Sequence, residues 1–463
     1  MGTSSIRRGH RAPGGHSRRQ FLRTSGVAAA AALTELGTAA QAMRVFSAPG
    51  AGGPGDGGPD DYKALVCIFL YGGADTFNLL VPASAPEYQV YAAARGDLAE
   101  TQASLLPIQP LTSDGASYGV HSACAELQQL FESQRLAFVP NVGPLVRPLT
   151  KDEALSGTVP TPANLFSHND QQLQWQVAHA DGPRTTGWAG RMLDRITGAS
   201  PAPLSPGISV ELTGQLLVGE SVQPYVVGLN GSESLALNDE SSRRAVIDAI
   251  MNSDHALGSE YARIQAESTA IDDLIGQTLG GAPAFDGLFP ESNLGRQLRM
   301  VARMISVRAA LGVRRQVFFV GTGGFDTHDD QLVLLPQLFQ NLSRSIGAFQ
   351  TALESIGESQ RVTSFTHTEF GRTLSSNGQG SDHGWGGHAL AFGGAVRGRD
   401  LYGAMPDLSP TGPDDLGEGR ILPAQAVDQM GATLAKWFGL TDPAIDLTFP
   451  NLGHFATRDL GFL

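Results

Sequence analysis

The sequence predicts an α/β fold in three layers, with helices packed on both faces of a mainly parallel central sheet. Three observations predict it. Continuous apolar runs of strand length recur along the chain, segments of helical period lie between them, and glycines and polar residues follow the runs. A run apolar at every position is how a strand covered on both faces reads, and its alternation with helical segments is the pattern of crossover-connected parallel strands.

The elements follow in order. The first 24 residues hold six Arg and no acid, and Ser17-Arg18-Arg19-Gln20-Phe21-Leu22-Arg23 precedes an Ala-rich stretch over 26–33 and a small-residue site, Ala40-Gln41-Ala42. That order is a twin-arginine export signal over residues 1–42, cleaved near Ala42. The partner in export is the twin-arginine translocase, and the destination is the periplasm or the cell exterior. Residues 43–60, centred on Ala51-Gly-Gly-Pro-Gly-Asp-Gly-Gly-Pro59, read as a linker, and the folded domain is expected over 61–463.

The first buried strand is 64–70, closed by Tyr71-Gly72-Gly73, with Asp75 just beyond it. Further runs lie at 135–139, 316–320, 361–365 and 389–392. The clearest helix carries Leu332, Leu335, Phe339, Leu342, Ile346, Phe349 and Leu353 at alternating spacings of 3 and 4, a core stripe, with Pro336 expected in its first turn. Residues 205–312 read as a mostly helical insertion that opens with short strands.

Charge narrows the function classes. The net charge is −13, and loss of residues 1–42 removes six Arg and one acid, Glu35, shifting it by a further −5. So anionic a body does not bind nucleic acid through a basic stripe. No later run reaches the ~18 apolar residues of a membrane span, so none is expected in the mature form. Cys67 and Cys124 both lie among apolar neighbours and read as buried free thiols.

In doubly wound sheets ligands gather beyond the carboxyl ends of strands, so the polar residues after the runs carry the candidate chemistry. Asp75 follows the first. Asp326-Thr327-His328-Asp329-Asp330 follows the run at 316–320 and offers oxygen and imidazole ligands, or a helix cap. His367-Thr368-Glu369-Phe370-Gly371-Arg372 supplies a metal-ligating or proton-accepting carboxylate and an oxyanion clamp. Ser381-Asp382-His383-Gly384-Trp385-Gly386-Gly387-His388 supplies an Asp-His pair in a glycine-rich loop. Ser167-His168-Asn169-Asp170 opens a helix, where Ser167 is either an N-cap or a nucleophile in the field of free N–H groups.

Taken together, Gly-Gly-Ala-Asp-Thr-Phe-Asn at 72, Ser-His-Asn-Asp at 167, Thr-Gly-Trp at 186, Gly-Gly-Phe-Asp-Thr-His at 323, Glu-Phe-Gly-Arg-Thr at 369 and Asp-His-Gly-Trp-Gly at 382 resemble the domain-of-unknown-function 1501 family. That family is placed by similarity in the alkaline phosphatase and sulfatase superfamily. The resemblance implies an alkaline phosphatase-like fold and a divalent ion, whether zinc, calcium, magnesium or manganese. It implies Asp75, Asp326, His328, Glu369 and His383 as metal ligands, with Ser167 as nucleophile. Arg372 or Asn169 would hold the oxyanion, and His383 or His388 would protonate the leaving group; Asp330 and Asp382 are further candidates. Glu369-Phe370 stands where the superfamily usually has an Asp-His pair, which points to one ion in place of two. The function implied is hydrolysis of a phosphate or sulfate ester on a small molecule or polymer. The alternative is a non-catalytic exported binding or assembly protein that keeps the fold, with or without one metal ion.

Overall fold

The computed structural model describes residues 61–196, 204–210, 213–231 and 256–463. The expected signal peptide and linker lie outside the described residues. The centre is an eight-stranded sheet: β1 Lys63–Leu70, β2 Leu136–Gly143, β3 Gly207–Val210, β4 Tyr225–Val227, β5 Arg315–Thr322, β6 Val362–Thr368, β7 Gly387–Gly393 and β8 Gln425–Ala426. Its spatial order is β8-β2-β7-β6-β1-β5-β3-β4. Every pairing is parallel except those of β7, which runs antiparallel to both β2 and β6.

The helices named below are α1 Ala85–Arg95, α2 Ala125–Glu132, α3 His168–Val177, α4 Trp188–Asp194, α5 Ala256–Leu279, α6 Asn293–Ser306, α7 Gln331–Ser355 and α8 Val427–Phe438. Period-2 alternation sends the side chains of β1 into two separate cores. Ala64, Val66, Ile68 and Leu70 pack with Leu127 and Phe131 of α2, Leu298 and Val301 of α6, and Phe339 and Ile346 of α7. Leu65, Cys67 and Phe69 pack with Trp188 and Met192 of α4 and with Met430 and Leu434 of α8. Two cores on the two faces of one sheet make the three-layer α/β/α arrangement. Each fully buried Leu, Ile, Val or Phe in them stabilises the fold by roughly 1.5–3 kcal/mol before the cost of ordering it.

Three local expectations are corrected. Leu332 is 53% exposed, and the stripe of α7 reaches the core only from Leu335 onward. Pro336 is the sixth residue of α7, beyond the first turn; the carbonyl it leaves without an N–H partner belongs to the exposed Leu332. The segment expected as an insertion over 205–312 is in part sheet, since β3 pairs with β5 and β4 with β3. Its helical part contains α5 and α6, and residues 232–255 lie outside the described residues. The two cysteines are free and buried, one in each core.

Candidate metal centre

Strands β6, β1 and β5 are neighbours and parallel, so the residues after their carboxyl ends converge. The turn after β1 is pinned against the turn after β5. Gly72 has φ +117°, and a Cβ there would stand 2.3 Å from the Asp326 backbone nitrogen, so only glycine fits. The Gly72 N–H donates to Glu369 Oε1 at 2.8 Å, which ties the loop after β6 to the same place.

Around this junction four side chains face one another. Ligand atoms of His168, Asp326 and His383 all lie within 4.8 Å of one another. His168 Nε2 is 3.5 Å from Asp326 Oδ2, and His383 Nε2 is 3.4 Å from Asp326 Oδ1. His328 Nε2 joins them at 3.2 Å from Asp326 Oδ1 and 2.9 Å from His383 Nε2. His383 arrives on a short hairpin, Arg372–Ser376 paired with Ser381–His383.

The opposite nitrogen of each imidazole is engaged. His168 Nδ1 is 2.9 Å from Glu369 Oε1, His328 Nδ1 is 2.8 Å from Asp382 Oδ1, and His383 Nδ1 is 2.7 Å from the Phe166 carbonyl oxygen. A neutral imidazole that donates through Nδ1 has its Nε2 lone pair free, the tautomer a metal ligand needs; the 2.9 Å contact between the Nε2 atoms of His328 and His383 is a hydrogen bond only when one of those two rings carries a proton at Nε2. The buried Phe370 ring stacks on His383 at 4.5 Å and lies 4.9 Å from His168, fixing both planes. Burial lowers the His383 pKa, and the nearby Arg372, His168 and His328 add to this against the Phe166 hydrogen bond, so the ring favours its neutral form. Burial alone would raise Asp326 and Asp382. The Arg372 guanidinium holds the first below the usual carboxylate range, and hydrogen bonds from Asn377 and His328 hold the second there.

The candidates named from the sequence fall into three places. Asp326, His328 and His383 meet at the centre. Glu369 and Asp382 stand one step out, as the acceptors that orient His168 and His328. The rest do not present a side chain to the centre as a ligand. Asp75 is fully buried, its Oδ2 bound by Arg95 of α1 and by Gln331, so that oxygen is not available as a ligand. Arg372 is no clamp for an outside anion: its fully buried guanidinium donates to the carbonyls of Gly72, Gly73, Phe325 and Ser381 and to Asp326. His388 is a buried imidazole held in its neutral form. Burial lowers its pKa to about 3, and its Nδ1 accepts from the Asn141 N–H at 3.1 Å.

Asp330 is exposed at the N-cap position of α7, with φ +53° and no capping bond from its side chain. Ser167 occupies the N-cap position of α3 without capping it; its hydroxyl donates to Asp170 Oδ2 at 2.9 Å. Asn169 is exposed on α3 and lines a cleft of about 580 Å³ next to the centre.

Sequence reasoning missed His168 as a ligand. It lay inside a motif block already singled out, but the serine before it drew the chemistry, and a ligand from a helix start follows no strand. Gln172, one turn along α3, donates to the same Glu369 Oε1 at 3.0 Å.

The chain matches the family described as "Protein of unknown function (DUF1501)" over residues 62–447, and it belongs to that family. Residues 15–34 match the twin-arginine translocation pathway signal sequence, so the protein is exported. Among the described residues no helix is long and apolar enough to cross a membrane. Comparison with curated protein sequences finds no match. Similar solved structures include the lipoteichoic acid synthase LtaP from Listeria monocytogenes, at 8% identity over 87% of this chain and 78% of that one, with a TM-score of 0.33. The C-terminal periplasmic domain of EcEptC from Escherichia coli is 10% identical over 86% of both chains, TM-score 0.33. The PsFucS1 sulfatase from Pseudoalteromonas sp. is 10% identical over 82% of this chain and 68% of that one, TM-score 0.31.

Proposed function

We propose that this member of the family is an exported metal-dependent hydrolase of phosphate or sulfate esters. The observation that carries the reading is the donor set: ligand atoms of His168, Asp326 and His383 within 4.8 Å of one another, His328 Nε2 beside Asp326 and His383, and each imidazole held from behind by an oxygen acceptor. Ligands about 2.0–2.1 Å from a tetrahedral ion lie about 3.3–3.4 Å apart. The distances here of 2.9, 3.2, 3.4 and 3.5 Å bracket that edge. His168, Asp326, His328 and His383 would hold the ion, and nitrogen-rich sets of this kind suit zinc better than calcium or magnesium.

A bound divalent ion would supply Lewis acidity toward an ester oxygen and lower the pKa of a hydroxyl or water beside it. The protein's own part is positional. Helix α3 starts at His168, so its first-turn N–H groups are unpaired within the helix and lie next to the centre, where they can hold an oxyanion. Ser167 is the candidate nucleophile, and Asp170 accepts its hydroxyl proton in a hydrogen bond. Hydrogen bonds from Arg184, Asn164 and Ser167 keep Asp170 below the usual carboxylate range, so it remains an acceptor. Buried Glu369 holds the His168 ring in one orientation.

The same Ser167–Asp170 bond favours the second reading, a non-catalytic exported binding or assembly protein with one ion, because it turns the hydroxyl toward its own helix. Metal analysis of the purified exported protein, with assays of 4-nitrophenyl phosphate and 4-nitrophenyl sulfate on wild type and Ser167→Ala, separates them. Turnover lost in Ser167→Ala supports the seryl nucleophile, and turnover retained there supports attack by water. A stoichiometric ion without turnover of either ester establishes the second reading, and less than about half an ion per chain sinks both.

A further inference from the structure

The cleft beside the metal centre carries information about the body of the substrate. It is lined on one side by Asn169, Gln172, Leu173 and Gln176 of α3, at the i, i+3, i+4, i+7 spacing of one helix face. Thr213, Gly214, Gln215 and Tyr71 line it as well. The connection is direct, because Gln172 Nε2 and His168 Nδ1 share Glu369 Oε1.

Among the described residues no Lys, Arg, Asp or Glu lines this cleft. Its polar groups are amides and hydroxyls, and several are half-used. Gln172 spends its NH2 on Glu369 and keeps its carbonyl oxygen. Gln176 accepts the Leu216 N–H at 3.1 Å and keeps its NH2, and Gln215 donates to the Thr185 carbonyl and keeps its oxygen. Asn169 is exposed at the rim with both ends of its amide available. The Tyr71 ring is half-buried on Phe69, centroids 4.5 Å apart, giving a fixed aromatic surface with a hydroxyl at its tip.

We propose that this cleft binds an uncharged saccharide, so that the ester presented to the metal centre is carried on a carbohydrate. This rests on the proposed hydrolase reading only for which end of the ligand reacts. Vicinal hydroxyls both donate and accept, which matches amides that offer one free donor or acceptor each, and a sugar's C–H face suits the Tyr71 ring. A polyphosphate or nucleic acid strand finds no cation among the described lining residues. A peptide finds few apolar surfaces for its side chains, since among the described residues Leu173, Val218 and Pro224 are the cleft's only large aliphatic lining.

The test is binding of cellohexaose, maltohexaose and laminarihexaose to the mature protein by saturation-transfer NMR and calorimetry, with hexa-alanine and polyphosphate as competitors. Asn169→Ala and Tyr71→Phe are compared with wild type, Asn169 being exposed and the phenyl ring retaining the packing on Phe69. The expected result is binding of at least one hexasaccharide, weakened about three- to tenfold by each variant through one lost hydrogen bond, and no displacement by either competitor. Absence of saccharide binding, binding indifferent to both variants, or displacement by hexa-alanine or polyphosphate overturns the proposal. Hydrolysis of 4-nitrophenyl esters by the same preparation, with and without zinc, reads the hydrolase separately. Saccharide binding without ester turnover leaves this inference standing and removes the other.

Discussion

Replacing Asp382 with Ala is the sharpest probe of the metal centre, because it leaves the ligands in place and removes only what orients one of them. Asp382 Oδ1 accepts from His328 Nδ1 at 2.8 Å and from Asn377 Nδ2 at 3.2 Å, and its side chain is half exposed. An exposed acid of this kind contributes about 0–1 kcal/mol to folding, so the variant is expected to fold. Loss of an outer acceptor behind a metal-ligating imidazole costs about 10–100-fold in affinity, which is about 1.4–2.7 kcal/mol. With zinc at a thousand times the wild-type Kd, the metal stabilises wild type by about 4 kcal/mol; the same concentration stabilises the variant by about 1.4–2.7 kcal/mol. Thermal unfolding across a zinc titration, checked by competition with a chelator, reads this difference. Asp330→Ala, an exposed acid two residues after His328 whose side chain makes no capping bond, is the control and is expected to match wild type. Equal zinc stabilisation of Asp382→Ala and wild type, or none in wild type, refutes the reasoning.

Other perturbations follow from the same geometry. His168→Ala removes one of four ligands and is expected to weaken zinc by more than Asp382→Ala does, measured by the same competition; equal affinity with wild type excludes His168 from the set. Gly72→Ala combines a strained φ of +117° with a 2.3 Å approach to the Asp326 nitrogen, and is expected to cost about 2–4 kcal/mol in urea unfolding and to weaken metal binding together. Buried Asp428 gives a pH dependence: burial, opposed by the Arg191 charge, raises its pKa to about 8. The folded state then keeps a proton that the unfolded chain, at about 3.9, has released, so this group's contribution falls as pH rises between those values, by up to about 1.4 kcal/mol per unit. Asp428→Asn is expected to flatten that fall in urea unfolding between pH 5 and 8, and parallel slopes in variant and wild type contradict it.

Much of the fold was legible because burial on both faces leaves an unbroken apolar run, as in β1, β5 and β6. Strand direction is not written that way, and β7 reads like its neighbours although it alone runs antiparallel. Three of the four facing residues, Asp326, His328 and His383, were legible because they follow strands or sit in the glycine-rich loop before β7. The roles of Asp75, Glu369 and Arg372 were not, since residue type does not reveal what has already claimed each group. The partner of Asp75 comes from α1, 20 residues on, and that of Glu369 from α3, 201 residues back.

Those claimed groups decide how many ions the centre can hold. Three carboxylates stand beyond three adjacent strands, and each already has a partner of this chain: Asp75 has Arg95 and Gln331, Asp326 has Arg372, and Glu369 has the Gly72 N–H, Gln172 and His168. The buried Arg372 charge interacts with all three carboxylates, as a second cation would, and it is fixed by four backbone carbonyls. A second divalent ion would need the oxygens of Asp75 or Glu369, and taking them would leave a buried guanidinium without its counter-charge, a change that costs about 3–5 kcal/mol when a buried pair is broken. Asp75 Oδ1 has no partner but belongs to the carboxylate whose other oxygen Arg95 and Gln331 hold, so the three imidazoles and the free side of Asp326 are the donors the proposal assigns to one ion. Arg372→Ala is therefore expected to destabilise the fold and to open the carboxylate cluster to a further cation, so that metal analysis gives more ions per chain than the single one expected of wild type. Two ions in wild type would mean that the guanidinium does not fill that role.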